Sequence, residues 1–331
     1  MQLALGWLLG LMLIPVFRRM KTGKYSPYIG DRFRTDGSEP AFGGVNALIV
    51  FAFGSFVSAA FTERSAVLIA AAIFAAAVTA AGIFDDILID LRGSNVGIKT
   101  SAKLLYTYAA CLVLTLVSVR AGWSGTAVIL PFGAGILDFG IAWYPVNAAV
   151  MTAVIYSFRV MNRFGTDEET CIGGLAGTVG SVAALGISAA GTAARNDELT
   201  ALGMTAAAAL MTSLIWGLSP SKQRSGSSGG FFAGAVIAAG LAMSGMFAFA
   251  VLLTAGAAAL DAVCGAVQFL HYRRTKKLLL KGSTLHGHLK NKGSGERGVR
   301  EFSVIAVFAV IDIVCCAAAV WLAVYGFDKY Y

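Results

Sequence analysis

Charged residues are scarce in this chain, and their scarcity excludes a water-soluble globular domain. Of the 331 residues, 13% are charged and 57% are hydrophobic, and the mean hydropathy is +0.73. A soluble domain carries about 25% charged residues. The charges also stand in short clusters between apolar runs long enough to cross a hydrocarbon core, which takes about 20 helical residues. We therefore predict an all-α, polytopic integral membrane protein that forms a single transmembrane domain over residues 1–331.

Alternating polarity and spaced cysteines are also missing. The Ala- and Leu-rich runs do not alternate as the strands of a membrane β-barrel would, and a helix satisfies its own backbone hydrogen bonds in lipid. The five cysteines form no spaced framework, which indicates small buried hydrophobes rather than disulfides or metal ligands. The N-terminus lacks a basic region and a clear cleavage site, so we expect a retained first helix.

The apolar runs predict ten membrane spans, which would place both chain termini on the same side. The runs are residues 2–17, 43–61, 66–84, 103–119, 141–160, 172–191, 199–218, 230–246, 247–269 and 303–325. The first and the eighth are short. Only "SGMF" separates the eighth run from the ninth, so that boundary is the least defined.

Lysine and arginine are distributed unequally between the two sets of loops. Of the 26 basic residues, all but four fall in one set, and those four are Arg64, Arg120, Arg195 and Lys329. Because basic residues concentrate in cytoplasmic loops, we predict that the basic set is cytoplasmic and that both termini lie outside. The net charge of +8 would then serve topology and anionic lipid contact, or attract an anionic substrate.

A cluster of acids ends the third predicted span, in the stretch "AGIFDDILID" at residues 81–90. Asp85 and Asp86 are adjacent and diverge by about 100° around a helix, whereas Asp86 and Asp90 share a face. Clustered carboxylates repel one another unless a cation intervenes, and Mg²⁺ shared with substrate phosphates would relieve that repulsion. The alternative is an ordinary polar helix end, although acids at a helix C-terminus oppose the helix dipole.

The three histidines of the chain lie within 18 residues of one predicted cytoplasmic loop. His286 and His288 stand among lysines in "KGSTLHGHLKNKG", with no cysteine or acid beside them. Neighbouring cations disfavour zinc, but imidazole and ammonium donors suit a phosphate. The alternative is a solvated basic loop without a function.

Two further loops hold weaker signals. In "EPAFGGVN", Gly43 and Gly44 allow the backbone to approach a ligand or another helix closely, and packing is the simpler role. In "NRFGTDEETCIGGLAGTVG", the acids Asp167, Glu168 and Glu169 favour a cation, while the glycine-rich helix start after them favours an anion. A charged turn remains the alternative for the second loop.

Two acids lie inside apolar spans, Asp261 and Asp312. An ionisable residue within the membrane is costly, so each is a candidate functional residue. For Asp312 the sequence names no partner, and a hydrogen bond to a neighbouring helix is the alternative.

These stretches, in this order, resemble the polyprenyl-phosphate N-acetylhexosamine-1-phosphate transferase superfamily, and within it most the phospho-N-acetylmuramoyl-pentapeptide transferase family. The shared features are a glycine pair before the second span, an aspartate pair closing the third, and a glutamine and basic stretch leading to a histidine motif. The matching residues are Pro40, Gly43, Gly44, Asp85, Asp86, Gln268, His286, His288, Lys290, Lys292 and Gly293. The similarity covers nearly the whole chain, and the histidine motif is its most specific part.

The resemblance implies a multi-pass plasma-membrane enzyme of peptidoglycan (cell wall) biosynthesis with a cytoplasmic active site. Undecaprenyl phosphate would attack the β-phosphate of a UDP-linked N-acetylmuramoyl-pentapeptide, or of a related amino sugar, and UMP would leave. Mg²⁺ would be the cofactor. The partners would be membrane lipid and a nucleotide sugar rather than a nucleic acid, and the family commonly forms a homodimer.

The resemblance also implies roles for particular residues. The catalytic residues and metal ligands would be Asp85, Asp86 and Asp167. The substrate-binding residues would be Gly43, Gly44, Lys99, Lys103, Asn162, His286, His288 and Lys290. The chain departs from the family where Ser227 stands at the position of a metal-binding acid, and where Gly287 replaces the middle histidine of a triple. A serine supplies no carboxylate charge, so either the acids at 167–169 compensate or metal-dependent catalysis is impaired.

Several functions therefore remain open. The first is the transferase itself, with a UDP-GlcNAc:polyprenyl-phosphate GlcNAc-1-phosphate transferase as a variant of it. The second is a catalytically degenerate relative that binds polyprenyl phosphate or a nucleotide sugar, or acts as a partner subunit. The third is a transporter, which internal repeats or broken helices at matching positions would favour; the sequence has no clear repeat.

Overall fold

The part of the chain that the structure describes is mostly helical, as the sequence predicts. The structure is a computed structural model that describes residues 1–19, 42–61, 65–92, 97–131, 134–162, 172, 174–218, 222–293 and 297–330. The helices are α1 (Gln2–Arg19), α2 (Gly43–Ala59), α3 (Ser65–Arg92), α4 (Thr100–Arg120), α5 (Trp143–Met161), α6 (Leu175–Ala193), α7 (Asp197–Gly217), α8 (Gly226–Met243), α9 (Ala248–Leu253), α10 (Gly256–Thr275), α11 (Leu285–Lys292) and α12 (Arg297–Tyr330). Short 3₁₀ turns precede α5 and α9.

Seven helices in the described residues are long and apolar enough to cross a membrane, and the bent pair α9 and α10 would make an eighth. The seven are α3 to α8 and α12, and each coincides with a predicted span. Helices α1 and α2 are apolar but shorter. The prediction of an all-α protein with many membrane helices is confirmed, while the count of ten and the location of the termini stay predictions.

The ninth predicted span, residues 247–269, is two helices rather than one. Helix α9 ends at Leu253 and α10 begins at Gly256, with a bend of 65° between the two helical segments. Asp312 of α12 lies at this break, where its Oδ1 accepts a hydrogen bond from the Ala257 N–H at 3.2 Å. The carboxylate thus accepts a hydrogen bond from one of the first backbone N–H groups of α10, which have no partner within the helix. This contact agrees with the alternative given for Asp312, a hydrogen bond to a neighbouring helix.

The most buried helix is α8, in which every residue except Ser227 is buried. A helix that is apolar on all sides belongs in a protein interior, and α8 packs against both α3 and α5. Small residues allow the backbones to approach closely, since a Cβ on Gly234 would collide with the backbone of Ile155. Because α8 is central, several neighbouring helices together fix the position of its first residues.

A two-stranded hairpin lies between α4 and α5. Strands β1 (Ala127–Ile129) and β2 (Ile136–Asp138) are antiparallel, with Val128 opposite Leu137. The sequence does not predict this hairpin, because strands of three residues are too short to show a period. Helix α4 has 21 residues and is therefore about 30 Å long, so the hairpin lies at the opposite end of α4 from its first turn.

Candidate functional site

Asp86, near the end of α3, holds the start of α8. Its Oδ1 accepts the backbone N–H of Ser227 at 2.8 Å, and its Oδ2 accepts that of Ser228 at 2.9 Å. The first N–H groups of a helix have no partner within the helix, and the helix dipole favours a negative charge there. Asp86 is buried, so these charge-assisted bonds replace the water that it loses. The second acid of the pair therefore joins α3 to α8.

Asp85 is the centre of a buried ionic cluster. Its Oδ1 accepts the Ile98 N–H at 2.9 Å, and its Oδ2 accepts bonds from Lys103 Nζ at 2.7 Å and the Ser227 hydroxyl at 3.0 Å. The Arg159 guanidinium lies 3.8 Å from the same oxygen. Lys103 is only 4% exposed, so its ammonium balances the carboxylate where little water can do so. We call these side chains the Asp85 cluster; it joins α3, α4, α5 and α8.

Two basic residues add positive charge at this cluster: Arg159, which belongs to it, and Lys99, which follows Ile98 in the chain. The guanidinium of Arg159 lies over the rings of Tyr156 and Phe231, with its central carbon 5.5 and 5.4 Å from the two ring centroids. These cation–π contacts fix its position at the edge of the cluster. Lys99 precedes the first turn of α4 and is exposed. The described structure therefore brings both buried and exposed positive charge to this end of the bundle.

Gly43 and Gly44 pack on the start of α8. A Cβ on Gly43 would lie 2.9 Å from Ser225 Cα, and one on Gly44 would lie 2.5 Å from the Gly229 nitrogen. Both neighbours are backbone atoms, which cannot swing away as the end of a side chain can. The Gly43 N–H also donates to the Arg224 carbonyl at 2.9 Å. The packing role is thus visible, and contact of either glycine with a substrate stays a prediction.

Asn162 supports the same helix start from the end of α5. Its side-chain amide donates to the Gly226 carbonyl at 2.5 Å. Gly226 has a φ of +64°, a left-handed conformation that costs glycine little and other residues more. Asp167, with Glu168 and Glu169, lies outside the described residues, so its predicted role as catalytic residue and metal ligand stays a prediction.

The histidine motif forms a second cluster, built by α10, α11 and α12. His286 is buried, its Nδ1 lies 2.8 Å from Asp261 Oδ2, and its backbone N–H donates to Asp261 Oδ1 at 3.0 Å. The Thr284 side chain caps the first turn of α11. The intramembrane acid Asp261 is therefore the partner of His286. His286 therefore does not lie in a solvated loop, and its function stays a prediction.

The other residues of the histidine motif also make contacts that hold this segment in place. Lys290 is buried, with its Nζ 2.9 Å from Glu301 Oε1 of α12. His288 accepts the Lys281 N–H at its Nδ1, at 3.0 Å. Gln268 accepts two backbone N–H groups of the segment that follows α10, each at 3.0 Å. Contacts of these residues with nucleotide phosphates stay a prediction.

The predicted site residues therefore fall into two groups. The Asp85 cluster and the α8 start that it supports bring together Asp85, Asp86, Lys103, Gly43, Gly44 and Asn162. Helix α11 packs on α10 and α12 and holds His286, His288 and Lys290. Sequence reasoning missed Arg159 and Glu301 as members of these groups. Arg159 carries only a topology signal in the sequence, although a basic residue at the same membrane face as an acid pair could have suggested the contact.

The described carboxylates do not fit a magnesium ion. Mg²⁺ takes an octahedral shell of oxygens, usually from one or two carboxylates and several waters. All four oxygens of Asp85 and Asp86 already accept protein hydrogen bonds, one of them from an ammonium at 2.7 Å. Among the residues that the structure describes, no group of three or more His, Cys, Asp or Glu side chains could hold a metal ion. Asp167 lies outside the described residues, so the predicted Mg²⁺ site at Asp85, Asp86 and Asp167 stays a prediction.

Fold and cluster together define a class: a multi-pass helical membrane protein with a buried ionic site where four helices meet. Ionic groups inside an apolar bundle are costly, and their presence there indicates function. Hydrogen-bonded cations beside an acid pair suit the binding of an anion such as a phosphate.

Curated proteins named phospho-N-acetylmuramoyl-pentapeptide-transferase are similar to this chain over most of its length. The one from Desulfitobacterium hafniense is 26% identical over 318 residues, which cover 93% of this chain and 91% of the relative. One from a Synechococcus strain is 28% identical over 298 residues (87% and 82%), and one from Pelotomaculum thermopropionicum is 25% identical over 322 residues (96% and 94%). No protein-family model matches the chain.

The chain is thus similar to the phospho-N-acetylmuramoyl-pentapeptide transferases, and the resemblance that its sequence indicates is confirmed. The similarity spans more than four fifths of both partners in each of these pairs. The similarity is therefore not confined to a single motif.

Proposed function

We propose that this chain is a phospho-sugar transferase. It moves phospho-N-acetylmuramoyl-pentapeptide, or a related amino-sugar 1-phosphate, from a UDP-sugar to undecaprenyl phosphate. The observation that carries the proposal is the similarity, over most of both chains, to transferases of that name. The Asp85 cluster supports it, because it places one buried and one partly buried cation, Lys103 and Arg159, at one end of an apolar bundle. The excess of basic residues in one set of loops favours the cytoplasmic face of the plasma membrane for this end.

In the proposed reaction, an oxygen of the lipid phosphate forms a bond to the β-phosphorus of the UDP-sugar. The bond from that phosphorus to the oxygen bridging it to the α-phosphate breaks, and UMP leaves with the bridging oxygen. Two anionic reactants must meet, so catalysis depends chiefly on positioning and on cationic stabilisation. Lys103 and Arg159 would supply positive charge, Asp85 would hold Lys103 in place, and Asp86 would fix the start of α8.

Other parts of the proposal rest on the resemblance. The contacts of Lys99, His286, His288 and Lys290 with nucleotide phosphates are proposed on that ground. A homodimer is proposed on the same ground, because the family commonly forms one.

A catalytically degenerate relative is the second candidate, favoured by Ser227. This residue stands where the family pattern has a metal-binding acid, and its hydroxyl donates to Asp85 at 3.0 Å. A site arranged in this way would bind the lipid phosphate without turning it over.

Release of UMP separates these candidates. Purified protein in detergent with Mg²⁺, undecaprenyl phosphate and UDP-MurNAc-pentapeptide is expected to release UMP, and UDP-GlcNAc is tested in parallel. Asp85→Asn should abolish release, while Asp197→Asn, an exposed acid at the start of α7, should not. Release from UDP-GlcNAc alone would reassign the sugar. Release from neither nucleotide, by folded protein that still binds the lipid phosphate, would favour the degenerate relative.

A further inference from the structure

The charges at the Asp85 cluster leave little attraction for a divalent cation. Two carboxylates, Asp85 and Asp86, are matched by two cations, since Lys103 lies 2.7 Å and Arg159 3.8 Å from Asp85 Oδ2. An arriving Mg²⁺ would therefore meet no net negative charge from these four groups. It would also compete with an N–H or O–H donor at every carboxylate oxygen, and Mg²⁺ demands near-ideal octahedral geometry.

The residue at position 227 determines whether the cluster has a third carboxylate, and here it is a serine. It is the one residue of α8 that is not buried, so it is partly accessible. Its N–H donates to Asp86 and its hydroxyl donates to Asp85, at 2.8 and 3.0 Å. A carboxylate at this position would make the cluster negative and would add a metal ligand beside Asp85. Serine instead donates a hydrogen bond to an oxygen that a metal ion would need as a ligand.

We propose that this chain binds its phosphate substrate without a divalent cation at the Asp85–Asp86 pair, and that Lys103 and Arg159 supply the positive charge instead. The inference rests on the proposed function, and it names what the site recognises: a phosphate or diphosphate held by protein cations. Ammonium and guanidinium groups form short, charge-assisted hydrogen bonds to phosphate oxygens. Asp85 and Asp86 are then positioning residues, because each acts through the groups that it holds.

Binding of Mn²⁺, a paramagnetic stand-in for Mg²⁺, tests this inference without requiring activity. Electron paramagnetic resonance would compare wild-type protein in detergent with Ser227→Asp. Ser227→Asn is the control, because asparagine has the size of aspartate but no charge. We expect Ser227→Asp to bind Mn²⁺ about tenfold or more tightly than both wild type and Ser227→Asn, because it adds a charged oxygen ligand. Wild-type binding as tight as that of Ser227→Asp, and lost in Asp85→Asn, would overturn the inference.

UMP release in the absence of divalent ions gives the second test. With undecaprenyl phosphate and UDP-MurNAc-pentapeptide, we expect the rates in EDTA and in Mg²⁺ to agree within about twofold. A rate that vanishes in EDTA and returns with Mg²⁺ would overturn the inference. If wild-type protein releases no UMP in either buffer, the proposed function fails, and the Mn²⁺ comparison still decides the inference.

Discussion

Replacing Asp86 with asparagine distinguishes two descriptions of the acid pair. If Asp86 were a carboxylate held near Asp85 only for a metal, removing its charge would relieve repulsion and stabilise the fold or leave it unchanged. The structure predicts the opposite, because the two oxygens of Asp86 accept the N–H groups of Ser227 and Ser228 at 2.8 and 2.9 Å. An asparagine has one acceptor oxygen, so one of these N–H groups would face an NH₂ donor.

The size of the effect follows from those two bonds. A buried donor left without an acceptor costs about 1–3 kcal/mol, and a bond to a neutral rather than a charged acceptor loses about 1 kcal/mol more. We therefore expect Asp86→Asn to lower the free energy of unfolding by about 2–4 kcal/mol. This is a large share of the 5–15 kcal/mol by which a typical domain is stable.

Thermal unfolding in detergent, followed by the fluorescence of the chain's five tryptophans, measures the effect. The matched control is Asp197→Asn, which removes an exposed acid from the first turn of α7 and should cost less than about 1 kcal/mol. An Asp86→Asn variant as stable as wild type, beside a control that behaves as expected, would refute the capping role of this acid.

Three further predictions concern packing and buried ion pairs. Lys103→Met leaves a buried carboxylate without its ammonium and should destabilise the fold by about 3–5 kcal/mol; an unchanged melting temperature would contradict the ion pair. Gly44→Ala should cost about 1–3 kcal/mol through overpacking against α8, whereas Gly125→Ala, whose Cβ has its nearest neighbour 3.9 Å away, should unfold like wild type. Lys290→Met and Glu301→Gln should each cost about 3–5 kcal/mol, and the double variant should cost at least about 1 kcal/mol less than their sum. Full additivity in that thermal unfolding cycle would argue against the 2.9 Å contact between the two side chains.

The sequence predicts a helix well where the apolar run is long. It does not predict where a helix breaks within such a run. The span predicted at 66–84 corresponds to α3, because a run of this length has few alternatives in a membrane. The break between Leu253 and Gly256 was not predictable. Kinks are usually marked by proline, and the segment from 247 to 256 contains none.

The site was predictable as a set of residues but not as a set of contacts. Asp85 and Asp86 are conspicuous in sequence because acids are costly at the end of an apolar run. Their partners are not local: Ser227 lies 141 positions after Asp86. The pairing of His286 with Asp261, 25 positions apart, depends in the same way on how α10 and α11 pack. Short sequence windows hold no information on such contacts.

The mass of the lipid product tests the proposed transfer most directly. Wild-type protein would be incubated in detergent with undecaprenyl phosphate and UDP-MurNAc-pentapeptide, and the extracted lipid would be analysed by mass spectrometry. We expect a lipid whose mass has increased by one phospho-N-acetylmuramoyl-pentapeptide group, and no such lipid with Asp85→Asn. Recovery of only unchanged undecaprenyl phosphate from folded wild-type protein would contradict it.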